Sequence, residues 1–239
     1  MPAQNPEILL GKLTRREFRE RMNRGELQAA ILPVAAIEQH LEHMAMEHDW
    51  RSVNVVAAEV ARRLAPRVLV AQGLMAGISE HHMRHPGTLS LRPGSFLAVV
   101  ADLIESLARA GFKNILVLNG HGGNVAPCEG TWGQFLQYNE VNLHFVSYWD
   151  TIDHDEARKA MRTPDVPGHA QEFETAIALA AFPENVRTAM WTDQPDQAPS
   201  LSTAATGERL LELCFAGVER YVREMLDGKR VAEIPPFMP

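Results

Sequence analysis

Four short segments of this chain hold residue types that can do chemistry. "EQHLEHMAMEHDW" gathers Glu38, His40, Glu42, His43, Glu47, His48 and Asp49, and "ISEHHMRHPGTLSL" supplies Ser79, Glu80, His81, His82 and His85. "NGHGGN" centres on His121, and "GHAQEFET" carries His169, Glu172 and Glu174. Eight of the ten histidines, His40, His43, His48, His81, His82, His85, His121 and His169, fall in or beside these segments. Neutral imidazole and carboxylate are ligands that suit zinc, manganese and ferrous iron. Glu38 and His40 are two residues apart, so an extended backbone points both side chains to one side, where a single ion can take both. Asp49 returns to that point after the loop, and His121 arrives from a neighbouring strand. Glycines around His121 let the loop turn sharply and come close to an ion or substrate.

Other chemistries fit less well. "NGHGGN" lacks both the GxGxxG spacing and the GK[ST] ending of phosphate-binding loops. No GxSxG elbow marks a serine hydrolase. Taken singly, a His-rich loop is often a solvated surface, and a glycine turn can use its histidine to cap a backbone group. Taken together, three of the segments each follow a predicted strand, which favours a site. His144 and His154, outside the segments, read as satisfied core or surface histidines.

The elements that must position these residues alternate. "LTRREFRERMNRG" has the capping-box spacing of Thr14 and Glu17 and ends at Gly25, which predicts a surface helix. "AAILPVAAI" is a buried-strand run, Ser52 is placed to cap the helix "VNVVAAEVARRL", and "RVLVAQGL" reads as a second strand. "PGSFLAVVADLIESLARAG", with Ser95 as cap and Gly111 as stop, feeds the strand "KNILVLNG". A helix from about Val125 to Tyr138 and a strand "NLHFVSYW" complete the next unit, with Trp149 at the strand end as a pocket candidate. The segment "TAATGERLLELCFAGVERYVREML" shows helical spacing that suits core or a subunit interface. Residues 163–168 and 192–200 read as loops, and the tail "EIPPFMP" as surface chain or an arm to a neighbouring subunit. This order predicts an α/β fold: one three-layer α/β/α sandwich with a mostly parallel sheet, filling residues 1–239 as a single domain. In such sheets ligands bind beyond the carboxyl ends of the strands, where three of the four segments lie.

Composition sets the outer bounds. With 239 residues, 46% hydrophobic and 22% charged, one sizeable core is expected. The net charge of −7, with scattered basic residues, gives no footprint for nucleic acid or an anionic membrane. Cys128 and Cys214 are too few for a disulfide framework and read as small apolar fillers. The start "MPAQNPEILL" has no leader pattern, and no apolar run approaches the ~18–20 residues of a membrane span. A soluble cytoplasmic protein acting on a small molecule is the expectation.

The motifs resemble those of the creatininase (creatinine amidohydrolase) family. "LPVAAIEQHLEH...HD" is similar to that family's LPxGSxEQHGPHLPxxTD, "GISEHHMRHPGTLSL" to GxSxEHxxFPGTxSL, and "GHAQEFETA" to HAGxxETS, while "NGHGGN" matches unchanged. They appear in the family order across roughly residues 32–176. The resemblance implies a divalent-metal hydrolase that opens amide or related C–N bonds, assembled as a homo-oligomer, usually a hexamer. It implies metal ligands at Glu38, His40, Asp49 and His121 for one or two ions of Zn, Mn or Fe, with Asp49 as the bridge in a dinuclear site. Ser79 and His169 fall where relatives contact substrate, Glu174 is shared by the pattern, and His169, as proton carrier, and Glu174 are the expected catalytic residues. On helix geometry alone, Glu172 shares the His169 face better than Glu174 does.

The sequence also departs from creatininase proper. Gly123 stands where a glutamate would hold the second metal, and Gly122 where a tyrosine would meet substrate, so the expected substrate is not creatinine itself. Other branches include a formamide deformylase and a precursor-peptide peptidase. Outside the hydrolases, two readings remain: a metal-dependent lyase or isomerase, and a metal-binding oligomer without catalysis.

Overall fold

In the computed structural model, which describes residues 6–236, four parallel strands form one sheet in the order β2-β1-β3-β4. The strands are β1 (Ala29–Val34), β2 (Val68–Val70), β3 (Asn114–Asn119) and β4 (Asn142–Ser147). Register runs Ala29 to Asn114 and Asn114 to Asn142, so all carboxyl ends open on one edge. Seven α-helices surround them among the described residues: α1 (Arg15–Asn23), α2 (His48–Arg63), α3 (Pro93–Arg109), α4 (Val125–Tyr138), α5 (His154–Ala160), α6 (Glu172–Ala181) and α7 (Ala204–Leu226).

The central strands are buried on both faces, and their alternation sorts the core into two. Ala29, Ile31, Leu116 and Leu118 pack with α2, α6 and α7, while Ala30, Leu32, Ile115 and Val117 pack with α3 and α4. Two cores sharing one sheet make the expected three-layer α/β/α sandwich. On one side α6 lies against α7 so closely that a Cβ at Gly207 would run into the carbonyl of Ala176.

Most predicted elements are found, with corrected starts. Thr14 and Glu17 form the capping box of α1, and α4 spans the predicted residues. Ser52 caps nothing: α2 begins four residues earlier at His48, and the Ser52 hydroxyl donates back to the His48 carbonyl at 2.9 Å. Ser95 does not cap either, because Pro93 already opens α3 with its fixed φ. The strands are shorter than their apolar runs: β1 stops at Val34 and β2 at Val70. Residues 163–168 and 192–197 are loop, and a short 3-10 turn, Ala198–Leu201, follows. The tail turns back over its own chain, where Ala232 N donates to Asn142 Oδ1 and Pro235 covers Gly133. The last three residues of "EIPPFMP" and the first five of "MPAQNPEILL" lie outside the described residues.

Candidate metal centre

All four segments meet beyond the carboxyl edge of the sheet. They surround a cavity of about 290 Å³ lined by Glu38, Asp49, His81, His82, His121, Trp149, His169 and Glu174, with glycines 120, 122, 123 and 168. Glu38 and His40 stand in the loop after β1, His121 directly after β3, Asp49 in the first turn of α2 and Glu174 in the first turn of α6. The backbone is forced into the left-handed region next to two of the site histidines, at Leu41 (φ 55°) and Ala170 (φ 53°). Such strain at non-glycine residues concentrates where a site dictates the chain path.

Each ligand-type histidine is fixed by a backbone carbonyl. His40 Nδ1 lies 3.0 Å from the Glu38 carbonyl, which can only accept, so the proton sits on Nδ1 and Nε2 faces Asp49 Oδ1 at 3.1 Å and Glu174 Oε2 at 3.7 Å. His121 uses the opposite nitrogens. Its Nε2 donates to the Ile78 carbonyl at 3.0 Å, leaving Nδ1 toward Asp49 Oδ2 at 3.0 Å and Glu38 Oε1 at 3.5 Å. Tethering the far nitrogen in this way sets the tautomer a metal needs. Asp49 thus presents one oxygen to each histidine, and its Oδ2 is buried with no hydrogen-bond partner. Glu38 is steadied from behind by the Ser79 hydroxyl.

Electrostatics point the same way. Glu38, Asp49 and Glu174 are all nearly buried, yet no Lys or Arg lines the cavity. Burying three carboxylates without a cation is costly, so the site calls for positive charge. In the metal-free chain protons serve instead. Burial raises the Glu174 pKa to about 8. Burial opposes a charged His40, but Asp49 and Glu174 outweigh it and lift its pKa to about 10. For Asp49, burial is likewise overcome, here by His40 and His121, and its pKa falls. Glu38 is raised by burial. Ligand atoms of His40, His48, Asp49 and Glu174 all lie within 4.8 Å of one another, as do those of Glu38, His81 and His121. The donor set and the orphaned oxygen fit divalent ions.

Two sequence expectations change, at Ser79 and Glu172. Ser79 is fully buried, supports Glu38 and does not line the cavity, so its hydroxyl is turned away from the substrate position. Glu172 faces elsewhere: its carboxylate accepts from Arg162 N at 2.8 Å and Thr163 N at 2.7 Å. The helical phase that favoured it fails because His169 precedes α6 and the left-handed Ala170 intervenes. Gly122 is open, with nothing within 4 Å of an added Cβ. At Gly123 an added Cβ would strike the Ile78 carbonyl, so this backbone has no room for a side chain there. Trp149 does wall the cavity. His144 and His154 are satisfied by Tyr221 and the Trp149 carbonyl.

Gln39 escaped notice as a site member, and His82, named only as part of its segment, joins it. Gln39 accepts from Leu41 N through Oε1, so its Nε2 donates to His82 Nδ1 and His169 Nε2, both at 2.9 Å. His82 and His169 stack at 4.5 Å and approach Glu38 Oε1 at 3.8 Å and 3.5 Å. Burial and the charge on His40 depress His169 to about 3, and burial depresses His82 to about 4. The signal was present: Gln39 stands between two site residues in "EQH".

The comparisons with known proteins agree with this geometry. The Creatininase family profile, described as creatinine amidohydrolase, matches residues 11–218. The creatinine amidohydrolase of Pseudomonas putida is 29% identical, over 91% of this chain and 96% of that protein. The 3-dehydro-scyllo-inosose hydrolase of Thermotoga maritima is also 29% identical, over 72% of this chain, which spans 55% of that protein. Solved creatininase structures, among them manganese and zinc–zinc forms, superpose at TM-scores of 0.77–0.79 with 26% identity, covering 91–92% of this chain and 98% of theirs. Since the matched region contains all four segments and the fold around them, the chain belongs to the creatininase family.

Proposed function

We propose that this protein is a divalent-metal-dependent hydrolase of an amide or related C–N bond. The observation that carries the reading is Asp49, whose two oxygens face two histidines with their far nitrogens tied to backbone carbonyls. One ion would be held by Glu38, Asp49 and His121, and a second by His40, Asp49 and Glu174. Zinc, manganese and ferrous iron suit these nitrogen and oxygen donors. Such ions, when bound, supply Lewis acidity, lowering the pKa of a water and polarising a carbonyl.

The chain's own groups do the rest. His169 stands at the mouth, with a third of its side chain exposed, and is the residue placed to pass a proton to the leaving nitrogen. Taking up a proton at Nε2 requires the Gln39 hydrogen bond to open, so Gln39 sets when His169 becomes basic. Trp149 closes one wall against water. The open corner at Gly122 supports a substrate bulkier than creatinine.

Residues 1–239 act as one domain in this reading, because both cores share one sheet. Exposed Met75, Met83 and Leu89 support assembly with further copies of the chain, as a hexamer by family likeness. We place the protein in the cytoplasm. No helix among the described residues is long and apolar enough to cross a membrane. The test is a panel of small amides assayed in ¹⁸O-water with metal-loaded and chelator-stripped protein. Amine release with ¹⁸O in the acid product, lost on stripping, is expected. Turnover without ¹⁸O uptake would make the protein a lyase or isomerase, and full activity after stripping would end the metal reading.

A further inference from the structure

His48 is used by nothing described so far. It opens α2 next to Asp49, is fully buried, and stands where the family pattern LPxxTD has threonine. Its Nε2 lies 3.1 Å from the Ser52 hydroxyl. That hydroxyl spends its hydrogen on the His48 carbonyl, so it can only accept from the ring, and Nε2 carries the proton. Nδ1 is therefore a bare lone pair, and it is buried with no hydrogen-bond partner. Leaving such a group unsatisfied carries its full desolvation cost, so an unpartnered buried nitrogen in a native fold asks for an occupant.

A ring nitrogen of His48 lies within 4.8 Å of ligand atoms of His40, Asp49 and Glu174, all of them mutually that close. His40 and His48 have ring centroids 5.0 Å apart. The motif resemblance implies a glutamate ligand for the second ion at the position of Gly123, where this chain has no room for a side chain. We infer that His48 Nδ1 is the replacement: a neutral imidazole from the start of α2 that completes the second metal position with His40, Asp49 and Glu174. The exchange swaps one anionic oxygen for a neutral nitrogen. The resulting two-histidine, two-carboxylate set favours zinc over a harder ion such as magnesium. Ser52 is then the group that holds the ring in the ligating tautomer, as a hydrogen-bonded outer partner does for other metal-binding histidines.

This inference rests on the metal reading above, and the test separates the two. Chelator-stripped full-length protein is titrated with zinc by calorimetry, and bound ions are counted by elemental mass spectrometry. Wild type should take two ions per chain. His48→Ala, and His48→Gln, which keeps a donor for Ser52, should keep the tighter ion and weaken the second by at least ~100-fold, the upper end of the losses seen for outer partners. If both variants bind two ions within ~3-fold of wild type while Glu174→Gln loses one, His48 is no ligand and the two-ion site stands. If wild type saturates at one ion, the second site and His48's part in it fall together. A measurement on wild type alone guards against variants that do not fold: the ¹⁵N resonance of His48 Nδ1 must shift on the second equivalent of zinc. A resonance that stays put overturns the inference.

Discussion

Asp49 Oδ2 and His121 Nδ1 face each other at 3.0 Å, while the other ring nitrogen of His121 donates to the Ile78 carbonyl. A carboxylate and an imidazole nitrogen held this close in a buried site need positive charge between them, which a proton supplies in the stripped chain, where, against burial, Asp49 raises the His121 pKa, and which a metal ion would supply on loading.

Replacing that carboxylate should therefore empty the site rather than merely slow it. Asp49→Asn keeps the shape of the side chain but donates where an acceptor is needed. We expect metal affinity to drop by more than ~100-fold and turnover to vanish, with the far-UV spectrum unchanged. Metal counting on dialysed protein checks this, and full occupancy would remove Asp49 from the ligand set.

Ser79 supports Glu38 without lining the cavity, so Ser79→Ala should act through the metal. A ~10–100-fold loss of metal affinity is expected. At saturating metal KM should stay within a few-fold, whereas a substrate-binding hydroxyl would change KM and leave metal affinity alone.

His169→Ala should separate chemistry from binding. Metal content stays at the wild-type value while kcat falls by ~10²–10⁴. Gln39→Leu, which frees the His169 Nε2 lone pair, should shift the pH–rate profile at unchanged metal content. Loss of metal from either variant would recast His169 as a ligand or its support.

Loading should release protons. In the metal-free chain at pH 7 both Glu174, raised to about 8, and His40, raised to about 10, hold protons that ligation must expel. Both folded-state values are raised, so both protons leave as pH climbs, and metal affinity is expected to rise between pH 6 and 9. Calorimetry in buffers of different ionisation enthalpy gives the proton count, and zero release contradicts the assignment.

A fifth expectation concerns packing. Gly207→Ala forces α7 away from the Ala176 carbonyl on α6 and should destabilise the fold by ~1–3 kcal/mol. Thermal unfolding of the metal-free variant against wild type measures it, since bound ions would mask the difference.

Much of this was legible in the sequence because strand runs and loop motifs are local. β3, α4 and the positions of Glu38, His40, Asp49 and His121 follow from apolar periodicity and from polar residues placed just past strand ends. Helix starts were not, because Ser52 satisfies the capping rule as well as any serine, yet α2 begins at His48 and carries Asp49 in its first turn. Glu172 looked better than Glu174 because the helical phase was counted from His169, and a left-handed alanine has no sequence signature. The Gln39 bridge joins residues up to 130 positions apart, which no spacing rule can express.

Glu174 differs from the other ligand-type residues in where it comes from. Glu38, His40, Asp49 and His121 belong to the sheet and its first crossover, but Glu174 rides on α6, which is wedged against α7 at the Ala176 and Gly207 contact. In the proposed two-ion site, an ion shared by His40, Asp49 and Glu174 would buckle the C-terminal helical pair onto the sheet. Metal loading becomes a clasp between early and late chain, and a stripped molecule is one whose last third can loosen first and become the preferred target of a protease.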